Sequence, residues 1–443
     1  MAQWSAGKPH IFDLALPPLE LEAGALVKPH FVRGWWWGPA DDLPVLQSRA
    51  RVIEDEAYID QAWQPVIRSE DDLRELEQHH AISTEPRNLA SWNDDIQTIL
   101  MVHALTGDMR AGGPSGWWER VVAPGKALDP NRFRLLCFNL LGSCYGTSGP
   151  CDEIFPNRSQ DSRFEGPLPV PKGNFDLPEN LLPATITTWD QARSILMALD
   201  RLGIKKVHLA TGGSLGGMIV LCLAALDPQR FERIVPIGAA DKATSWIIGW
   251  NHVQRRALLL DPDFPDHPLR GLELARQIGM LTYRAEAGTE LRQGREMAGV
   301  NPPGISWSSR AHYKVSTWLE HQGQKLISRF DSRAYLALLG AMDHHDLGRI
   351  PLFMSPSEMR RHSGASGVGK TSWGVSRIRA AAFCIGIDSD QLFFPKTIES
   401  FANQLLRQGA KAKSAMLETP FGHDAFLIED EKMDKLLWQA LEF

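Results

Sequence analysis

Gly212-Gly213-Ser214-Leu215-Gly216 fits the pattern G-x-S-x-G, in which a serine hydroxyl stands on a turn too sharp for bulky flanking residues. Such a turn holds the hydroxyl out above a sheet, and the chemistry it serves is nucleophilic attack on an acyl carbon. Five residues alone could equally be a plain glycine-rich turn, so the flanks matter. Val207–Thr211 reads as a strand and Met218–Leu226, apolar all round, as a buried helix, which is the context the motif requires. A serine hydroxyl is a poor nucleophile until a base takes its proton, so an orienting acid and then a histidine are expected further along the chain. Of 14 histidines, His423 lies in a loop-like stretch beyond the last strands, in TPFGHDAFL. Asp390 sits just past the strand-like run Ala380–Asp388, where the acid belongs. Asp388 is the competitor, and Asp390 is preferred. Either aspartate alone could simply cap a loop; the ordered set of three argues for a triad.

Attack on an acyl carbon also needs two backbone N–H groups aimed at the developing oxyanion. Leu215, directly after the nucleophile, supplies one. Leu105, in the HALTG turn that follows the strand-like run Ile96–His103, is assigned the other. His103 itself reads as a structural histidine bracing that turn.

The elements that must position these groups are legible as an alternation. Apolar strand-like runs at Ile96–His103, Arg134–Asn139, Val207–Thr211, Arg233–Ala240 and Ala380–Asp388 are separated by segments of helical period. That predicts an α/β fold with a mostly parallel central sheet flanked by helices. One helix is expected to start at Thr188 as N-cap, with Gln191 three residues on, to bury Ile195, Leu196, Leu199 and Leu202, and to stop at Gly203. From about 241 to 347 the strand signal disappears and helical periodicity takes over, in GLELARQIGMLTY and FDSRAYLALLGAMD. The expected organisation is therefore a core in two parts, 1–240 and 348–443, with an inserted helical lid at 241–347. A charged excursion at about 40–95 reads as either a hairpin with a short helix or a surface excursion.

Composition excludes several classes. The chain has 443 residues with 43% hydrophobic and 23% charged, an ordinary globular balance, and a net charge of −6. No basic field is available to gather a phosphate backbone, so nucleic acid is not an expected partner. No 18-residue apolar run is present, so neither membrane insertion nor export is expected. Five cysteines, an odd set without a CxxC pair, suit a reducing cytoplasm and indicate no metal site. The tryptophan clusters at 35–37 and 117–118 read mainly as packing. Gly364–Thr371 fits the phosphate-loop pattern GxxxxGK[ST], but polar residues precede it and too few follow it for the required helix, so it reads as a surface loop.

The segments MVHALTGDMRAGG, GWWERVVAPGKALDPNRFRLLCFNLLG, TGGSLGGM, ARQIGMLTYR, RFDSRAYLALLGAMDHHD, SDQLFFP and FGHDAF closely resemble the homoserine O-acetyltransferase family, in family order, from about Ile96 to the C-terminus. The resemblance implies an α/β-hydrolase fold with a helical lid, a homodimer through that lid, and acyl transfer from acyl-CoA to an amino-acid hydroxyl. Acetyl-CoA would be a co-substrate, with no metal or resident cofactor. It further implies that Arg276 grips the amino acid's carboxylate, that Tyr283 is a further contact, and that Asp424 partners the substrate ammonium. The chain departs from the family in having Leu215 where methionine is usual, in the 40–95 excursion and in extra residues at 351–375. Succinyl donors, serine as acceptor, and an esterase or deacetylase on the same triad stay open as alternatives.

Overall fold

The computed structural model describes residues 5–53, 91–152, 154–163, 181–298, 313–354 and 373–443. The Gly364–Thr371 loop and the middle of the charged excursion lie outside the described residues.

A nine-stranded sheet forms the centre, in the order β11-β10-β9-β8-β6-β7-β4-β1-β5. Its parallel part comprises β6 (Thr98–Val102), β7 (Arg134–Phe138), β8 (Val207–Gly213), β9 (Phe231–Ile237), β10 (Ala381–Ile387) and β11 (Ala412–Leu417). Unbroken apolar runs such as TILMV in β6 are buried along their length, as strands covered on both faces must be. The N-terminal strands β1 (His10–Leu16) and β4 (His30–Trp37) extend the sheet antiparallel from β7, while β2 (Leu19–Glu20) and β3 (Leu26–Val27) pair separately. The start of the excursion folds as a short helix, α1 (Leu43–Arg49), and an edge strand, β5 (Arg51–Ile53), on β1. Trp35 and Trp36 of β4 are core residues.

Helix α2 (Thr188–Leu202) differs from expectation by one residue at its start. Thr187 is the N-cap: its hydroxyl accepts from the Asp190 N–H at 3.2 Å, and Asp190 Oδ2 accepts from the Thr187 N–H at 3.0 Å. Thr188 is instead drawn inward, its hydroxyl 3.0 Å from His345 Nδ1, so a tertiary contact decides between two adjacent threonines. Helix α3 (Leu215–Leu226) is buried along nearly its whole length under the sheet.

The chain leaves the sheet after β9 into α4 (Ser245–Leu259), α5 (Leu269–Thr282), α6 (Glu286–Gln293), α7 (Lys314–Ile327) and α8 (Ser332–Asp343). Its exit and return lie side by side: Leu347 N–H donates to Asp241 O at 2.7 Å, and Ala243 N–H to His345 O at 2.9 Å. After α9 (Trp373–Arg377) and β10, α10 (Pro395–Arg407), β11 and α11 (Asp430–Glu442) close the fold.

The chain steps from β6 outward to β7, then back across to β8. Strand order thus reverses between β6 and β8, and the loops at their carboxyl ends open a crevice where such sheets bind ligands. Both the HALTG turn and Ser214 lie there.

Candidate active site

Ser214 sits between β8 and α3 with φ 57° and ψ −123°, a conformation costly for a residue with a Cβ. Its surroundings enforce it. Ser214 N–H donates to Ile237 O at 2.8 Å, and its carbonyl accepts from Met218 N–H at 3.0 Å, beginning α3. Gly216 presses against the Val102 and His103 carbonyls, and any side chain there would run into them. The glycines of the motif are therefore needed for close packing of α3 onto the end of β6, which brings the two crevice loops together.

His423 follows β11 in a tight 3-10 turn, and its Nδ1 lies 2.6 Å from Asp390 Oδ2. The other carboxylate oxygen, Oδ1, accepts from the Leu392 and Phe393 N–H groups at 2.7 and 2.9 Å, which locks Asp390 in place. Asp388 is exposed and turned elsewhere, its Oδ1 accepting from Thr419 N–H at 2.8 Å. The imidazole is fully enclosed. Phe393 stacks on it at 5.2 Å, Phe426 meets it edge-on at 5.9 Å, and Gly238 at the end of β9 abuts its Cε1. Burial pulls its pKa down, but the charge and hydrogen bond of Asp390, with the charge of Asp424, outweigh burial and raise it. His423 Nε2 is buried and has no partner among the described residues, the position from which a base would act. Trp118 anchors the turn from below, its indole N–H donating to Phe426 O at 2.7 Å. Neither Phe393, Gly238 nor Trp118 was singled out by sequence as part of the site; the FFP of SDQLFFP was the available signal for the first.

In the HALTG turn the Ala104 carbonyl lies 2.8 Å from His103 Nδ1 and accepts from Gly107 N–H at 3.0 Å. A trans peptide points its N–H opposite its carbonyl, so pinning Ala104 O also fixes the direction of the Leu105 N–H. The ring of His103 is fully buried, and its Nε2 accepts from Leu140 N–H at 3.1 Å. Burial lowers its pKa, so it is a neutral brace with the proton on Nδ1. Among the described residues, neither the Leu105 nor the Leu215 N–H has an acceptor.

Arg276 on α5 is half-buried and makes no ion pair among the described residues; its charge reaches the phenols of Tyr283 and Tyr335. Tyr283 follows α5, its ring 6.1 Å from that of His423, and burial pushes its phenol up to about 12, so it stays a neutral donor. The Tyr335 hydroxyl donates to Gln254 Oε1 at 2.5 Å behind it. Asp424 N–H donates to Tyr283 O at 3.1 Å, and its carboxylate pairs with Arg284 at 3.3 Å. Sequence analysis named Arg276, Tyr283 and Asp424 but not Arg284, which directly follows Tyr283. No group of His, Cys, Asp and Glu suited to a metal ion occurs among the described residues, whose cysteines are free.

Three comparisons with known proteins bear on this site. Residues 97–430 match the alpha/beta hydrolase fold family. Homoserine O-acetyltransferase from Moorella thermoacetica is 35% identical over 358 residues, covering 78% of this chain and 86% of that protein. The enzyme of the same name from Symbiobacterium thermophilum is 35% identical over 346 residues, covering 75% of this chain and 81% of that one. Among solved structures, homoserine O-acetyltransferase from Bacillus anthracis superposes with a TM-score of 0.69 at 18% identity, covering 99% and 98% of the two chains. Esterase E22 superposes with a TM-score of 0.64 at 16% identity, covering 99% and 100%. At those identities the superpositions speak for the fold alone.

Proposed function

Because the chain belongs to the alpha/beta hydrolase fold family and, within it, to the homoserine O-acetyltransferases, we propose that it moves an acetyl group from acetyl-CoA to the hydroxyl of L-homoserine, a step in methionine biosynthesis, through an acyl-Ser214 intermediate. Ser214 attacks the thioester carbon as His423 takes its proton. The Leu105 and Leu215 N–H groups hold the oxyanion, and Asp390 holds the imidazolium that forms. The tetrahedral adduct collapses, the carbon–sulfur bond breaks, and His423 returns the proton to the leaving CoA thiolate. Homoserine then enters, His423 takes its hydroxyl proton as the oxygen attacks the ester carbon, and the adduct collapses with its bond to Ser214 Oγ breaking and His423 returning the proton to Ser214. Every group in this sequence belongs to the chain itself or to its two substrates.

The observation that carries the acceptor assignment is Arg276: a half-buried guanidinium without a described carboxylate partner, its charge acting on Tyr283, whose ring in turn lies 6.1 Å from that of His423. An amino-acid carboxylate supplies the missing charge in a bidentate geometry. The test is CoA release measured over a grid of acetyl- and succinyl-CoA against homoserine and serine. Acetyl-CoA with homoserine is expected to turn over fastest; preference for another cell of the grid reassigns the substrate.

One observation favours water as acceptor instead. Asp424, the anion expected to meet a substrate ammonium, already carries Arg284. Steady CoA release without any amino acid would establish that hydrolytic reading.

The same reading places the protein in the cytoplasm as a homodimer. Free thiols and the biosynthetic chemistry support the first. Apolar side chains exposed along the inserted helices support the second: Trp246, Ile248 and Val253 on α4, and Leu269, Leu274 and Leu281 on α5.

A further inference from the structure

Arg329, just beyond the end of α7, is a cation with two neutral acceptors. Its Nη1 donates to Thr106 O at 2.8 Å and to the Tyr145 hydroxyl at 2.5 Å. Thr106 is the third residue of the turn closed by Gly107 N–H on Ala104 O. Tyr145 is buried in the glycine-rich loop after β7, packed edge-on against Phe330 at 5.8 Å. One side chain of the inserted helical region therefore ties together the two core loops that flank the carboxyl end of β6. His103 pins the turn from inside through Ala104 O, and Arg329 pins it from outside through Thr106 O.

The geometry points to Arg329 as a positioning residue for the oxyanion hole: seated by the helical insertion, it holds the Leu105 N–H in the direction that meets the oxyanion. Thr106 O shares a peptide plane with Gly107 N–H, which donates to Ala104 O, and Ala104 O shares a plane with the Leu105 N–H, so that amide cannot swing without breaking a bond of His103, Gly107 or Arg329. A charge-assisted bond to Thr106 O is the stronger kind of anchor. Because both tetrahedral intermediates would place their oxygen in the same hole, Arg329 serves acylation and deacylation alike. In this it differs from Arg276, which concerns the acceptor only. The inference rests on the proposed acyl-Ser214 chemistry but not on the identity of the acyl donor or acceptor.

The test compares Arg329→Gln and Arg329→Lys with the parent chain, using p-nitrophenyl acetate to acylate Ser214 and acetyl-CoA with homoserine for full turnover. Removing a donor of the hole itself costs about 100- to 1000-fold, and loosening one costs less. Arg329→Gln is expected to lose roughly 10- to 100-fold in kcat on both substrates, with KM for homoserine within about twofold. Arg329→Lys, which keeps a charged donor for Thr106 O, is expected to recover most of that loss. Loss confined to the homoserine step would make Arg329 an acceptor-site residue and overturn the proposal, as would unchanged rates with both substrates. If Arg329→Gln does not fold, Tyr145→Phe, which keeps the Thr106 bond but removes the second anchor, must slow both reactions several-fold at an unchanged melting midpoint, or the proposal fails. A parent chain that cleaves the ester but not acetyl-CoA would sink the transferase reading and leave this one standing.

Discussion

Arg284 Nη2 lies 3.3 Å from Asp424 Oδ2, so the carboxylate next to His423 in the chain is shared with a guanidinium from the end of α5. Arg276, on α5, pairs with no carboxylate among the described residues. Under the proposed acceptor assignment, Asp424 is an engaged anion and Arg276 a cation without a described partner, so Arg276 is the stronger handle for a zwitterionic substrate.

Arg276→Ala should therefore raise the apparent KM for homoserine. A charge-assisted bidentate pair in a partly buried pocket contributes about 2–4 kcal/mol, or roughly 30- to 1000-fold. Burst-phase CoA release, which precedes acceptor binding, should barely change. Equal loss in both phases would mean that Arg276 supports the helical region or binds CoA.

Ser214→Ala should abolish acyl-enzyme formation, because Ser214 alone occupies the elbow. Intact-mass and peptide spectra after brief exposure of the parent chain to acetyl-CoA should place an acetyl group on Ser214. An acetyl group on a cysteine instead would refute the mechanism.

Asp390→Asn should leave the fold intact and cut turnover by about 10⁴, since the imidazole loses both its tautomer and its charge partner. Asp388→Asn removes only an acceptor for Thr419 N–H and should cost far less. Turnover numbers for the two variants, with circular dichroism as the folding control, check the ranking.

The pH profile of acylation should carry the signature of the raised His423 pKa. Burial lowers that value, and the charge and hydrogen bond of Asp390, aided by Asp424, more than reverse it. A base works only when deprotonated, so the acid limb of kcat/KM for acetyl-CoA should have its inflection above the ordinary histidine value of about 6.5. In Asp390→Asn the inflection should move down. Because the folded value is raised, the linked stabilisation is full below the unfolded value and is lost as pH rises through the folded one. A parent inflection below 6.5 would contradict this account.

Leu274 and Leu281, one heptad apart on α5, are 49% and 51% exposed. If two copies pack through this face, replacing both by glutamate should convert a dimer to a monomer in sedimentation experiments at micromolar concentration, with secondary structure unchanged. A parent chain that sediments as a monomer would remove the dimer.

The elbow, the parallel strands around it and the order serine, acid, histidine were legible in the sequence because each is written in contiguous residues. Apolar runs specify buried strands, and glycines at fixed offsets specify the turn that α3 and β6 require. The start of α2 shows where that reasoning stops. Thr187 and Thr188 are equivalent as local signals, and distant partners tell them apart: the Thr187 hydroxyl donates to Glu22, while that of Thr188 lies against His345, 157 residues away. The same holds for Asp390 over Asp388, preferred from position alone. The observed difference lies in which carboxylate the fold turns toward an imidazole 33 residues on. Arg284 and Arg329 lie within the family-like segments ARQIGMLTYR and RFDSRAYLALLGAMDHHD, but nothing local gave either a role, and Gly238 carried no signal. An arginine in a helix-rich stretch looks solvated until the chain returns to place a carboxylate or a carbonyl against it, and Thr106 O is 223 residues from Arg329. Local periodicity is set by the backbone and its nearest side chains. Polar partners are set by where distant segments meet, and that is decided only when the core packs.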